Sequence, residues 1–467
     1  MSKTLCILGL VAQGICTSVL AVSMNFGGHF RAETAYYGSL GLGVTGVSGA
    51  EKTYLSGRAL LDPTLVIDDH FSLYSQWNVL ATASAAGSAL TTPPATVGLV
   101  AGQGGYVFGD QSATGLILNR VWLEWTSDFG VLRLGRMPVA WGYGLLYDGG
   151  NQVWDNWQTT YDRFEYRLHL GHVIGGIAYS KPRKSSVIAG TNDQDFYSIY
   201  IKYDNPELEV EAGIMYEKQA RTSGQQAELL NDTRATTGVD RALQLGLAPG
   251  RRTPYPLNNN LVDVYVKKTL RYFTFGGEIA WIGGSAADFD NNANADTLNA
   301  FAFMVNAAYE RHMLKAFVDF VWASGDSNVN DGSMNGFILM HRNRHPGLIM
   351  GRELMGASHG NTVGLGSLFA YSNSQNSFSG AYYLRPGIRF DWSQDWSTGL
   401  ELIWARKAAV AAGEAADLGF EVDLGVEHTV YQNCFLGANA GILFAGSGLS
   451  GSNRNPVAVR AHLGVTF

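Results

Sequence analysis

The stretch from Val457 to Phe467, VAVRAHLGVTF, decides the fold. Val457, Val459, Ala461, Leu463, Val465 and Phe467 fall on one parity, and Arg460, His462 and Thr466 on the other. A period of two marks a β-strand whose two faces meet different surroundings. In a water-soluble sheet the apolar face would need a helix or a second sheet to cover it. The chain offers no helical segment for that purpose and repeats the pattern instead. Leu208, Val210, Ala212, Ile214 and Tyr216 alternate with Glu209, Glu211, Gly213 and Met215. Phe301, Phe303, Val305, Ala307 and Tyr309, then Leu314, Ala316, Val318, Phe320 and Trp322, do the same. So do Tyr382, Leu384, Pro386, Ile388 and Phe390 against Arg385, Arg389 and Asp391.

Composition narrows the class. Of the 467 residues 16% are charged, against about 25% in a soluble domain. Glycine numbers 57 and aromatics reach 12%. That mixture excludes a disordered chain and describes a soluble enzyme poorly. Beyond the N-terminus no apolar run is long enough for a spanning helix. The class that remains is all-β, a single closed antiparallel transmembrane β-barrel. The spacing predicts about 18 strands, with 16 as the alternative, because many strands have the length a tilted crossing needs. The weakest expectations are a strand at 131–138 and the region 363–378, where a further hairpin would fit. Short connections such as 127–130, 204–207, 311–313 and 392–397 alternate with long ones, notably 83–112, 141–159, 217–259, 283–296, 323–377 and 445–455. The net charge of −7 includes no basic patch for nucleic acid.

The N-terminus reads as an export signal over 1–23. Lys3 precedes the apolar run Thr4–Val22, and Ala21-Val22-Ser23 has the small-x-small form of a cleavage site. The barrel would then occupy 24–467. Cys6 and Cys16 leave with the signal, and Cys434 alone forms no intramolecular disulfide.

This signal, the alternating strands and the terminal Val465-Thr466-Phe467 resemble Gram-negative outer-membrane barrels of the porin kind. The resemblance implies short periplasmic turns, long extracellular loops and contact with outer-membrane lipid and lipopolysaccharide. It also implies delivery by the barrel-assembly machinery, for which a terminal Phe467 is similar to the recognition signal. Small hydrophilic solutes would be the cargo, a homotrimer is an open assembly state, and no cofactor or metal is implied.

In a barrel of this size inward charges decide what passes. Parity places Arg31, Arg58, Arg120, Arg133, Arg163 and Arg167 inside, against Glu33, Glu124 and Glu165. On a later wall it places Glu209, Glu211, Asp263, Glu278, Glu310 and Asp319 inside, against Lys267 and Lys315. Opposed walls would set a field across the lumen; ordinary lumen solvation with cross-strand ion pairs is the plainer reading. Arg136 falls on the outward parity and calls for a bulge at Gly135 or a reach to the interface.

The third long loop carries Trp141, Tyr143, Tyr147, Trp154 and Trp157, with Asp148 and Asp155, among glycines. In porins the third loop commonly folds into the lumen as a constriction, and the resemblance implies the same here. Its aromatics would then offer faces to sugar rings; an outer aromatic belt with loop packing is the blander expectation for most of them. Asp288, Asp290, Asn292, Asn294 and Asp296 echo a calcium loop but lack its glycine and its closing glutamate, which favours a solvated acidic loop. The scattered histidines form no catalytic or metal-ligand motif. The expected function is a passive diffusion channel. A sugar-selective channel, a surface barrel whose loops 217–259 and 323–377 bind a partner, and an outer-membrane hydrolase are the rivals.

Overall fold

The computed structural model describes residues 22–38, 51–82, 106–107, 114–155, 159–181, 194–221, 257–285, 296–328, 331–337, 347–354, 380–410, 412–413, 415–449 and 455–467. Its staves are β1 (Gly28–Gly38), β2 (Lys52–Leu61), β3 (Phe71–Thr82), β4 (Thr114–Ser127), β5 (Gly130–Pro138) and β6 (Thr160–Leu170). They continue as β7 (Val173–Lys181), β8 (Gln194–Asn205), β9 (Val210–Arg221), β10 (Leu257–Leu270), β11 (Phe273–Ser285) and β12 (Thr297–Arg311). The last are β13 (Leu314–Ala323), β14 (Ala381–Asp391), β15 (Trp396–Arg406), β16 (Asp417–Tyr431), β17 (Cys434–Ala445) and β18 (Val457–Thr466). Each stave runs antiparallel to the next. β1 pairs with β18 from His29 opposite Thr466 to Gly38 opposite Val457, so the 18-stranded sheet closes on itself. Closure pairs each stave with its neighbours, the condition for crossing a bilayer as β-structure, although between β2 and β3 the pairing is confined to two residue pairs.

Side-chain parity follows the sequence pattern. Leu134, Ile177, Ile199, Ile214, Val264, Leu424 and Val459 are exposed on the outer face. Phe303 packs with Phe320 and Trp322 there, ring centroids 5.7 and 5.8 Å apart. The buried residues face inward. Tyr37, Tyr161, Phe196 and Leu261 pack with Leu145, Leu146 and Tyr147 in one cluster inside the barrel.

The two rims differ as expected. β10 and β11, β12 and β13, and β16 and β17 are joined by two-residue turns, and Arg271 and His312 take positive φ there (59° and 54°). Two-residue turns that match the strand twist need this conformation. The ends of β9 and β10, and of β13 and β14, lie at the opposite rim. Arg221, Leu257, Ala323 and Ala381 therefore stand at one rim.

Three details depart from the sequence expectations. The first stave begins at Gly28, and Ser23–Asn25 is a separate short strand paired with Thr64–Val66 in the β2–β3 turn. β2 and β3 meet only at Leu60–Asn78 and Leu61–Trp77, while Tyr106–Val107 pairs with Ser56 and Gly57. No bulge occurs at Gly135, where pairing runs unbroken through Gly135–Trp122 and Arg136–Val121. The register shift is in β4 instead, between Leu118 and Arg120. The expected leader as far as residue 21, the region 363–378 and Asp288, Asp290, Asn292 and Asn294 lie outside the described residues.

Candidate functional site: a loop clamped inside the barrel

The connection from β5 to β6 turns into the barrel, where the walls hold it from two sides. Its first half gives hydrogen-bond donors to acids. The Trp141 indole Nε1–H donates to Asp263 on β10 at 3.0 Å. The backbone N–H groups of Tyr143 and Leu145 donate to the two oxygens of Glu278 on β11, the latter at 3.2 Å. The Tyr147 hydroxyl donates to Glu217 on β9 at 2.6 Å. Its second half offers acceptors to arginines. Arg120 on β4 donates to the Gly149 carbonyl and to Asn151 Oδ1 (2.9 Å). Arg31 on β1 reaches the carbonyls of Val153 (2.9 Å) and Asp155 (3.2 Å), and Arg58 on β2 reaches that of Asp155 (2.6 Å). Hydrogen bonds to charged partners are the strong ones, roughly 1.5–3 kcal/mol each.

Close approach needs missing side chains on both surfaces. Gly142 has φ +53°, and a Cβ there would run into the Glu278 carboxylate. On the wall, the Tyr143 hydroxyl occupies the place where a Cβ of Gly276 would stand.

Most of the charges expected on the two walls hold protein. Arg31, Arg58 and Arg120 are 2–6% exposed, and Asp263 and Glu278 no more than 1%. Arg133, Arg163 and Arg167 are held by a single acid. They converge on Glu165 at 3.3, 3.0 and 2.8 Å, and Tyr200 donates to the same carboxylate at 3.0 Å. Arg133 also meets Glu124 at 3.1 Å, and Glu33 lies 3.7 Å from Arg460. Glu211 accepts from Tyr265 at 2.8 Å. Glu209 stands off the wall, in the β8–β9 turn with φ +51°. Glu310 is exposed at the short-turn rim beside Lys315 (2.8 Å). Asp319 holds Arg385 at 2.5 Å.

The loop aromatics pack inside the barrel and form no outer belt. Trp141 meets Tyr200 and Tyr265 edge-on, Tyr147 meets Tyr161, and Trp154 meets His462 at 4.6 Å. Asp148 and Asp155 brace the loop itself, accepting from the N–H groups of Gly150 (2.6 Å) and Gln152 (2.7 Å). Trp157 lies outside the described residues.

A second inward segment comes from the β13–β14 connection. The helical turn Gly347–Leu354 sets the N–H of Leu348 on Asp423 (2.8 Å) and those of Ile349 and Met350 on Glu421 (both 2.7 Å). Beside it, against β13–β18, lies a cavity of about 470 Å³. Its accessible charges include Arg389 (44% exposed), Glu401 (37%) and Glu427 (36%). These stand at inward parity on β14, β15 and β16, where the two-residue rule of the strands places them.

No protein-family model matches the sequence, and no curated protein matches it. Solved structures do match its fold. OpdQ of Pseudomonas aeruginosa superposes with TM-score 0.54 at 8% identity, covering 95% of this chain and 97% of that one. OccK2 (OpdF) of the same organism, solved in complex with glucuronate, gives 0.51 at 11%, covering 95% and 98%. A BenF-like porin from Pseudomonas fluorescens Pf-5 gives 0.51 at 10%, with the same coverage. The chain has the fold of a porin-type outer-membrane barrel.

Proposed function

We propose that this chain is an outer-membrane porin, a passive channel through which small hydrophilic solutes cross the bacterial outer membrane. The observation that carries the reading is the doubly clamped loop, which narrows an 18-stranded barrel with the protein's own polar thread. A barrel of this size encloses an aqueous path unless something fills it. Holding one loop on two walls narrows such a path to a defined width. The test is planar-bilayer recording from the refolded, heat-modifiable barrel. Discrete open channels at low voltage are expected; a folded barrel that conducts no ions would overturn the reading.

Substrate selection is a second reading, favoured by the cavity against β13–β18. It has the volume of a small-molecule site and charges of both signs. The glucuronate complex of OccK2 shows that a barrel of this shape can hold a small polar solute.

A further inference from the structure

The cavity owes its depth to glycine. Arg389, Gly399, Gly425, Asn439 and Arg460 are successive cross-strand partners on β14 to β18. Five neighbouring staves set the two arginines about 19 Å apart, at about 4.8 Å per step. Between them Gly399 presents bare backbone at an inward position, while the Asn439 amide lies over Gly425. One step along the strands on either side stand carboxylates, Glu401 and Asp423 toward the long-loop rim and Glu427 toward the short-turn rim. The lining thus holds three guanidinium groups, those of Arg385, Arg389 and Arg460, against three carboxylates. Phe317 and Leu348 add apolar surface.

Arg385 is held by Asp319 and Arg460 by Asn439 (2.8 Å). The cavity therefore offers chiefly Arg389, which lies 3.0 Å from Asp391 and 3.6 Å from Glu427, and the carboxylates of Glu401 and Glu427. A solute carrying both charges gains at both ends. We propose that this depression is a subsite for a small zwitterion, an α-amino acid with an apolar side chain. Its ammonium sits over the glycine floor between the carboxylates, its carboxylate meets Arg389, and its side chain lies toward Phe317 and Leu348. The proposal deepens the channel reading and rests on it for the solute's route, whereas the binding itself is measurable without transport.

The experiment is calorimetry on the detergent-solubilised folded barrel with leucine, N-acetyl-leucine and leucine methyl ester. Leucine should bind, and each derivative, having lost one charge, should bind at least tenfold more weakly. Gly399→Leu fills the floor at a site where an added Cβ meets only the Ile388 carbonyl, at an ordinary 3.6 Å, and should abolish binding. Arg389→Gln should weaken leucine binding at least fivefold and provides a second test where Gly399→Leu fails to fold. Absence of leucine binding, equal binding of either derivative, or binding undiminished in a folded variant overturns the proposal. Conductance of the same preparation separates the two readings. A conducting barrel that ignores leucine overturns the subsite alone, and a silent barrel that binds leucine overturns the channel alone.

Discussion

Trp141 donates its indole N–H to Asp263 across 122 residues of sequence, and at 3.0 Å this is the point where the inner loop first touches the acidic wall. The indole is also boxed by Tyr200 and Tyr265, with Lys202 Nζ 4.9 Å from its ring. Replacing Asp263 by Ala removes a charge-assisted acceptor and should destabilise the loop's seat by about 1.5–3 kcal/mol. We expect a larger and noisier single-channel conductance, with Asp263→Asn lying between variant and parent because an acceptor remains. Identical traces from all three proteins would show that Asp263 does not position the loop.

Gly276→Val tests the seat from the other side. The new side chain must displace the Tyr143 hydroxyl, which has taken that space. Overpacking of this kind costs about 1–3 kcal/mol. Tyr143→Ala in the same background should relieve most of it. Thermal unfolding of the two single variants and the double variant gives the coupling; additive effects would contradict the contact.

Charges that hold the loop and charges that face the cavity should separate in electrophysiology. Arg58→Ala loosens the hold on Asp155 and should change conductance more than ion preference. Arg389→Gln removes a partly exposed cation, worth on the order of 1 kcal/mol to an ion about 4 Å away in water-like surroundings. It should move the zero-current potential toward cations at low salt, and Glu427→Gln should move it toward anions. Equal shifts from Arg58→Ala and Arg389→Gln would place both on the same conducting path.

Assembly should depend on the seam. Phe467 exchanges backbone hydrogen bonds with Gly28, 2.9 Å one way and 3.1 Å the other, and its ring lies against that glycine. Deleting Phe467 should lower the yield of heat-modifiable barrel from cells, and Phe467→Tyr should restore most of it. Undiminished yield after deletion would leave the residue no part in closure.

Most of the fold was legible because side-chain parity is a local property, repeated from stave to stave. Even the weak expectation at 131–138 corresponds to β5, Gly130–Pro138. The loop's hold was not legible, since Trp141 and Asp263, or Arg31 and Val153, meet only through barrel closure. Parity also carried Glu209 one residue too far, into a turn where alternation has ended. The accessible charges were legible in principle. Arg389, Glu401 and Glu427 obey the two-residue rule, but parity marks a charge as inward without telling an accessible one from one committed to a loop.

Arg136 and Asp162 face outward, half exposed, 2.7 Å apart. An outward arginine costs about 2–4 kcal/mol at the bilayer midplane and close to nothing at its surface. The pair therefore acts as a waterline, fixing how deep this side of the barrel rides. Below it on β6 the outward residues are Phe164, Tyr166, Leu168 and Leu170. From Asp162 to Leu170 the strand runs about 27 Å, or about 20 Å of height at a typical tilt, against an apolar band of about 25 Å in such barrels. The apolar outward run of β6 is thus about as tall as the band itself, and the Arg136–Asp162 pair marks where it gives way to the polar rim.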